Sequence, residues 1–173
     1  MAGRSSTTTR GEFHDDYGYA FTLDPGPVTI REATEADLPR CIEMGEAFMR
    51  GTIYGTLFPP APGAVARLAR KALDTGVIFV AEQAGLLLAG LALVVMEQPF
   101  TGAMYADELT WWTDTEARGQ LRVGVRLLQH AEQWARENDL SMVQMAAPAE
   151  SRVGAFRAHR GYRPVETTYT LRL

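Results

Sequence analysis

Apolar and polar residues alternate along the chain with two periods, and each period predicts one kind of element. In residues 28–33 apolar and polar residues alternate, which is typical of a half-buried strand. Residues 77–82 and 86–98 are nearly continuous apolar runs separated by a Gln-Ala-Gly turn, so they predict an antiparallel hairpin. Residues 104–114 predict the strand that follows.

Helical spacing of apolar residues is found in four other stretches. In the longest, about residues 121–138, one face carries only small or apolar side chains: Gly124, Leu127, Leu128, Ala131, Trp134 and Ala135. The other three helices are predicted at about residues 35–49, at residues 63–76 and at residues 150–160. Residues 51–62 between the first two are predicted as a loop.

Two more strands are predicted near the C-terminus, at residues 141–148 and 162–173. The resulting order is β-α-α-β-β-β-α-β-α-β, which indicates a single α/β domain spanning residues 28–173. No internal repeat and no second domain are visible in the pattern.

Residues 1–27 read as an N-terminal tail or extension. The first ten are rich in Ser and Thr and predict a flexible tail. Residues 11–27 mix four aromatic side chains with acids and include a candidate strand at residues 17–23. Two interpretations stay open for them: a segment packed on the domain that reaches the active site, or a mobile leader.

Composition narrows the function classes. A net charge of −4 and a pI near 5.4 argue against a nucleic-acid partner bound by bulk electrostatics. The single cysteine, Cys41, forms no internal disulfide, which fits a cytoplasmic protein. The longest apolar run, residues 86–96, is shorter than the ~20 residues of a membrane span. The three histidines, His14, His130 and His159, lack the spacing of a metal site, so we expect none.

The longest predicted helix opens with an unusual charge pattern. Arg118, Arg122 and Arg126 recur every four residues and share one stripe of the helix. A helix N-terminus is already positive, so three arginines there favour a bound anion such as a pyrophosphate, with Gly119 and Gly124 allowing close backbone approach. The alternative is a solvated basic face in which Gly124 is only a packing contact.

These residues and the element order resemble the GNAT superfamily of acyl-CoA N-acyltransferases. The stretch "ELTWWTDTEARGQLRVGVRLLQHAEQWA" is similar to that family's strand, phosphate-binding turn and helix, and "FRAHRGYRPVE" to its later helix. The resemblance covers residues 28–173. It implies a GNAT-like domain with a mixed, mostly antiparallel sheet flanked by helices, and acetyl-CoA (CoA) as the acyl donor.

The resemblance also implies the site residues. Glu108 would be the catalytic base that deprotonates the acceptor, with simple pairing to an arginine as its alternative role. The cofactor-binding residues would be the pantetheine strand and the phosphate turn: Thr110, Trp111, Trp112, Thr113, Arg118, Gly119, Gln120, Arg122, Val123 and Gly124. The turn is degenerate, because its register shifts by one residue depending on whether Gly119 or Gly124 is aligned.

Two positions depart from the family's pattern. The tyrosine that often acts as general acid is replaced by Arg157, and a frequent asparagine by Glu150. Tyr162 and Tyr169 remain as candidate acids. The resemblance would put the acceptor under the 51–62 loop, whose Ile53, Tyr54, Leu57 and Phe58 either line that cleft or fill the core, while an acid such as Glu46 could attract the ammonium.

The sequence therefore predicts an N-acetyltransferase that moves an acetyl group directly from acetyl-CoA to a primary amine. Two alternatives stay open: a CoA-binding module with little catalysis, and a protein whose arginine stripe contacts phosphate or nucleic acid. The acceptor is not specified. A homodimer partner or the N-terminal segment is expected to complete the sheet, and no membrane partner is expected.

Overall fold

The computed structural model describes residues 26–58, 61–114, 121–147 and 152–171. The N-terminal segment, including its candidate strand at 17–23, lies outside the described residues. The same holds for residues 115–120, which contain Arg118, Gly119 and Gln120, and for residues 148–151, which contain Glu150.

In the described part of the chain, five strands form one sheet in chain order. They are β1 (Thr29–Glu32), β2 (Gly76–Gln83), β3 (Leu86–Glu97), β4 (Met104–Thr113) and β5 (Val143–Gln144). The first four are antiparallel to their neighbours, whereas β5 runs parallel to β4. This confirms the mixed, mostly antiparallel sheet.

The predicted hairpin is present with a two-residue turn. Ala84 and Gly85 both have positive φ, at 51° and 79°, which matches the twist that a tight β-hairpin needs. Gly85 adopts this conformation without steric cost, and Ala84 is one of the few non-glycine residues here that does.

Helices cover both faces of the sheet. After a 3-10 turn at Glu35–Asp37 come α1 (Leu38–Gly51), α2 (Ile53–Leu57), α3 (Ala64–Thr75), α4 (Leu121–Glu137) and α5 (Arg152–His159). One apolar core packs α4 on the sheet through residues such as Val123, Leu127 and Leu91. A second core packs α1 and α3 on the opposite face, through Met44, Ala72 and Val80 among others.

Three sequence predictions need correction. The predicted 51–62 loop contains the short helix α2, and the strand predicted at 141–148 pairs at two residues only. The final strand predicted at 162–173 is wrong over its described part, since residues 162–171 carry no helix or strand. A strand needs a partner along its length, and β5 is too short to supply one. Val165, Tyr169 and Leu171 are consequently exposed.

The described residues contain neither a membrane-spanning helix nor a candidate metal site. Across the four described ranges, no helix is long and apolar enough to cross a membrane. Within the same part of the chain, no group of three or more His, Cys, Asp or Glu side chains is placed to hold a metal ion.

Candidate active site

The sheet opens where β4 and β5 part. Their parallel ladder consists of two pairs, Ala106 with Val143 and Asp107 with Gln144. Past Asp107, no strand of the described chain pairs with this edge of β4, although β4 continues to Thr113. We call this edge of β4, from Glu108 to Trp112, the β4 cleft.

The ladder on the other side of β4 decides which backbone groups face this cleft. The Asp114 N–H donates to the Leu88 carbonyl at 2.8 Å, which marks a hydrogen-bonded position of the β3–β4 pair. Hydrogen-bonded positions alternate in an antiparallel ladder, so Trp112 is bonded to β3 and Trp111 turns its backbone N–H and C=O to the cleft.

A bulge interrupts β4 beside the cleft. Glu108 pairs with Leu93 and Thr110 with Ala92, which leaves Leu109 as an extra residue. As a result, Leu109 and Thr110 both line the same side of β4, toward α1 and α3. The Thr110 Oγ1 is buried and has no hydrogen-bond partner among the described residues.

Glu108 lies at the apex of the cleft in a buried ion pair with Arg157 of α5. The Arg157 Nη2 donates to the Glu108 Oε2 at 2.7 Å, and the two side chains are 6% and 9% exposed. The Arg157 Nη1 donates to the Ala146 carbonyl just after β5, while its Nε has no partner in the described structure. The guanidinium also lies 5.4 Å from the centroid of the Trp111 ring. The pair therefore bridges β4, β5 and α5 where the two strands separate.

Burial dominates the electrostatics of this pair. It raises the pKa of the Glu108 carboxyl from 4.5 to about 7, because the charged form is poorly solvated. The Arg157 guanidinium and the Ala146 backbone act in the opposite direction and keep the pKa from rising further. A carboxyl that titrates near neutral pH can exchange protons under physiological conditions.

The two tryptophans lie on opposite faces of β4, as neighbouring strand residues should. Trp111 packs on the α4 core and Trp112 on the α1/α3 core. Gly124 of α4 fits against Trp111, because a Cβ at this position would lie 3.2 Å from the indole Cζ2. Gly124 therefore has a packing role in the described structure, and its contact with the cofactor stays a prediction.

A Gly124→Val variant should therefore lose about 1–3 kcal/mol of unfolding free energy, since added atoms force Trp111 to move. The matched control is Gly154→Val in α5, where the nearest atom to an added Cβ is the Ala147 Cβ at 4.0 Å. Chemical denaturation of both variants checks this. Equal stability of the two would contradict the packing role.

The fold places the two described arginines of the stripe, Arg122 and Arg126, in different surroundings. The side chain of Arg122 is exposed near the helix start, where an anion could reach it. Arg126 instead donates from its Nη1 to the Val28 carbonyl at 2.8 Å and so ties α4 to the start of β1. The Val123 side chain belongs to the core, so only its backbone is available to a ligand. The remaining phosphate-turn residues lie outside the described ranges.

Neither candidate tyrosine lies against Glu108. The Tyr162 hydroxyl donates to Glu132 at 3.2 Å, and burial raises its pKa well above the ordinary value. Tyr169 is 90% exposed. Neither of these two tyrosines is therefore placed beside Glu108 as a general acid, and Arg157 occupies the position that the resemblance gives to a tyrosine.

In and next to α2, apolar side chains face the solvent. Ile53, Tyr54 and Phe58 are 62%, 44% and 53% exposed, which excludes the core-filling alternative for these three. Glu46, the acid expected to attract an ammonium group, lies on α1 with its carboxylate 3.8 Å from Arg50.

Sequence reasoning missed two features of the site. One is the identity of the arginine that pairs with Glu108: the sequence allows such a pair as the alternative role of Glu108, but Arg157 stands out in it only as the residue that replaces a tyrosine. The other is an apolar cavity behind β4, which includes Leu109, Thr110 and Trp112 in its wall. The two consecutive wall residues of the bulge could not be predicted from the alternating pattern of the strand.

Solved structures with a similar fold cover more than four fifths of the chain. A GCN5-related N-acetyltransferase from Ralstonia eutropha JMP134 superposes with a TM-score of 0.68 at 22% identity, over 84% of this chain and 99% of that one. A putative acetyl transferase from Pyrococcus furiosus gives 0.66 at 19%, over 85% and 100%. AAC(6')-Iy in complex with the bisubstrate analogue CoA-S-monomethyl-acetylneamine gives 0.64 at 13%, over 86% and 99%. No protein-family model and no curated protein sequence matches.

Proposed function

Because this chain has the GNAT fold, we propose that it is an N-acetyltransferase that moves an acetyl group from acetyl-CoA to a primary amine. The observation that carries the proposal is a carboxyl titrating near neutral pH, Glu108, at the apex of the open β4 edge. A fold alone does not define an activity, so the site must supply the argument.

The residues present fit CoA as a substrate. The β4 cleft offers the unpaired backbone of Trp111, to which an extended amide chain such as pantetheine can add like a strand. The start of α4 offers helix N–H groups and the exposed Arg122, which suit a pyrophosphate. Acetyl-CoA supplies an activated thioester when it is bound.

Glu108 takes the proton that acyl transfer releases. The amine nitrogen forms its bond to the acyl carbon as the bond from that carbon to sulfur breaks, and the ammonium proton passes to the Glu108 carboxylate, directly or through water. A pKa near 7 lets the carboxylate accept the proton at neutral pH and return it to solvent afterwards.

Arg157 positions Glu108 and supplies positive charge to the cleft. Its hydrogen bond fixes the carboxylate, and its Nε remains unpartnered in the described structure. A buried guanidinium beside the cleft favours the negative charge that develops on the leaving sulfur, without donating a proton to it.

The acceptor is a primary amine attached to an apolar or aromatic group. Three exposed side chains support this, Ile53 and Tyr54 of α2 and the adjacent Phe58, because they offer an apolar surface.

Two measurements test the proposal. Calorimetry should show CoA binding with a dissociation constant in the micromolar range. Incubation of acetyl-CoA with a panel of amines should then release free CoA thiol, and apolar amines should give the fastest release. Binding without turnover of any acceptor would favour a CoA-binding module, and absence of binding would exclude both.

Charge reversal on α4 tests the phosphate contact separately. Arg122→Glu should weaken CoA binding at least about tenfold, because a carboxylate repels the anion that the arginine attracts. Arg136→Glu is the matched control, since Arg136 is also exposed but lies in the last turn of α4, roughly 21 Å along the helix. Calorimetry with CoA compares the two. Equal affinities would mean that Arg122 is only a solvated charge.

A further inference from the structure

An apolar cavity lies on the side of β4 that faces α1 and α3. It has a volume of about 80 Å³, and its wall includes Met44, Gly45, Gly90, Leu109, Thr110 and Trp112. The volume holds about three groups of the size of a water molecule. It is therefore too small for most whole ligands, whose pockets measure roughly 300–1,000 Å³.

The cavity and the β4 cleft share one strand. The bulge turns the side chains of Leu109 and Thr110 to the cavity. The next residue, Trp111, presents its backbone N–H and C=O to the β4 cleft. A group held at the backbone of Trp111 therefore lies one residue from the cavity wall.

The chemistry of the wall excludes a charged occupant. None of the residues lining the cavity carries a charged side chain. Cys41 is the single titratable group in that wall, and burial raises the pKa of its thiol to about 11, so it is neutral at physiological pH. In the cavity wall, the one buried side-chain polar atom without a partner among the described residues is the Thr110 Oγ1, which can donate a hydrogen bond to an oxygen. An alkyl chain that ends in a carbonyl matches both properties.

We propose that this cavity binds the acyl chain of the donor, and that the protein accepts short straight-chain acyl-CoA substrates longer than acetyl-CoA, up to about butyryl-CoA. The proposal rests on the proposed function, because it needs the donor in the β4 cleft. An acceptor side chain is disfavoured as the occupant, since the exposed apolar surface of α2 already offers a site for it.

Binding of an acyl-CoA series without acceptor tests the proposal. Each methylene moved from water into the cavity should tighten binding about fourfold, so butyryl-CoA should bind about 16-fold more tightly than acetyl-CoA. Octanoyl-CoA, whose chain exceeds the cavity, should bind no better than butyryl-CoA. Calorimetry with CoA, acetyl-, propionyl-, butyryl- and octanoyl-CoA gives these ratios.

A cavity-filling variant makes the test specific. In Gly90→Ala the new Cβ would lie 3.5 Å from the Met44 Cε and 3.6 Å from the Phe79 carbonyl oxygen, which are ordinary contacts. This variant should keep the affinity for acetyl-CoA and lose most of the gain for butyryl-CoA. Gly51→Ala, which meets no atom within 4 Å, is the control and should behave like the wild type.

The outcomes separate the two proposals. If neither CoA nor any acyl-CoA binds, both the proposed function and the acyl cavity are overturned. If CoA binds and chain length changes nothing, only the acyl cavity is overturned. If affinity rises steadily up to octanoyl-CoA and Gly90→Ala does not change this rise, the acyl chain lies on an exposed surface. That result would also overturn the acyl cavity.

Discussion

Replacing Glu108 with Gln should lower turnover at pH 7 by about 10²–10⁴-fold, the usual contribution of a general base, while CoA affinity stays near that of the wild type. Gln keeps an oxygen that can accept the hydrogen bond from Arg157 but cannot take a proton. Raising the pH should partly restore the rate, because more of the amine is then already neutral. Steady-state kinetics from pH 6 to pH 10 measure both effects.

Glu132→Gln is the matched control for this experiment. Glu132 also accepts from an arginine, Arg160, at 2.8 Å, and it lies on α4 outside the cleft. It should keep full turnover. Loss of CoA binding in Glu108→Gln would show a structural role, whereas full activity at every pH would show that water or another acid such as Glu46 takes the proton.

Replacing Arg157 with Met should destabilise the protein by about 3–5 kcal/mol at pH 8, because it leaves the buried Glu108 carboxylate without its partner. Met is a flexible apolar side chain of comparable length, so the lost charge is the main change. Urea denaturation measures the difference. Arg160→Met, which breaks the more exposed pair with Glu132, should cost less.

The cost of Arg157→Met should depend on pH with a definite sign. Arg157 lowers the pKa of Glu108, so its removal raises that pKa above about 7. A carboxyl whose pKa is higher in the folded than in the unfolded protein stabilises the fold most below its ordinary pKa. This stabilisation is lost as the pH rises through the pKa of the folded state. The loss of unfolding free energy in Arg157→Met, relative to the wild type, should therefore be smallest near pH 5 and largest near pH 9.

The same rise in the pKa of Glu108 should shift the pH dependence of kcat/KM. If Glu108 must be ionised to accept a proton, the acidic limb of kcat/KM lies near pH 7 in the wild type and at higher pH in Arg157→Met. A double variant with Glu108→Gln should recover stability relative to Arg157→Met, since no buried charge remains. Equal profiles in the wild type and Arg157→Met would mean that Arg157 is a structural tether only.

The local pattern of apolar and polar residues was sufficient to predict the long strands of the sheet and the longest helix. The β2–β3 hairpin, β4 and α4 lie within a few residues of their predicted bounds, because periods of two and of about 3.6 are set by neighbouring residues. The same local rule placed Trp111 and Trp112 on opposite faces. The resemblance on these elements also led to Glu108 as the candidate base.

Tertiary structure decided whatever depends on a distant partner. Glu108 and Arg157 are 49 positions apart, and only the meeting of β4, β5 and α5 brings them to 2.7 Å. The alternating stretch at 162–171 carries the pattern of a strand, but a strand forms only where another chain segment offers its backbone groups. Arg126 fits an anion site in sequence, but in the fold it donates to the Val28 carbonyl. The close approach of Gly124 to the Trp111 indole likewise depends on how α4 packs on β4. Contacts between elements, which no local period encodes, set these outcomes.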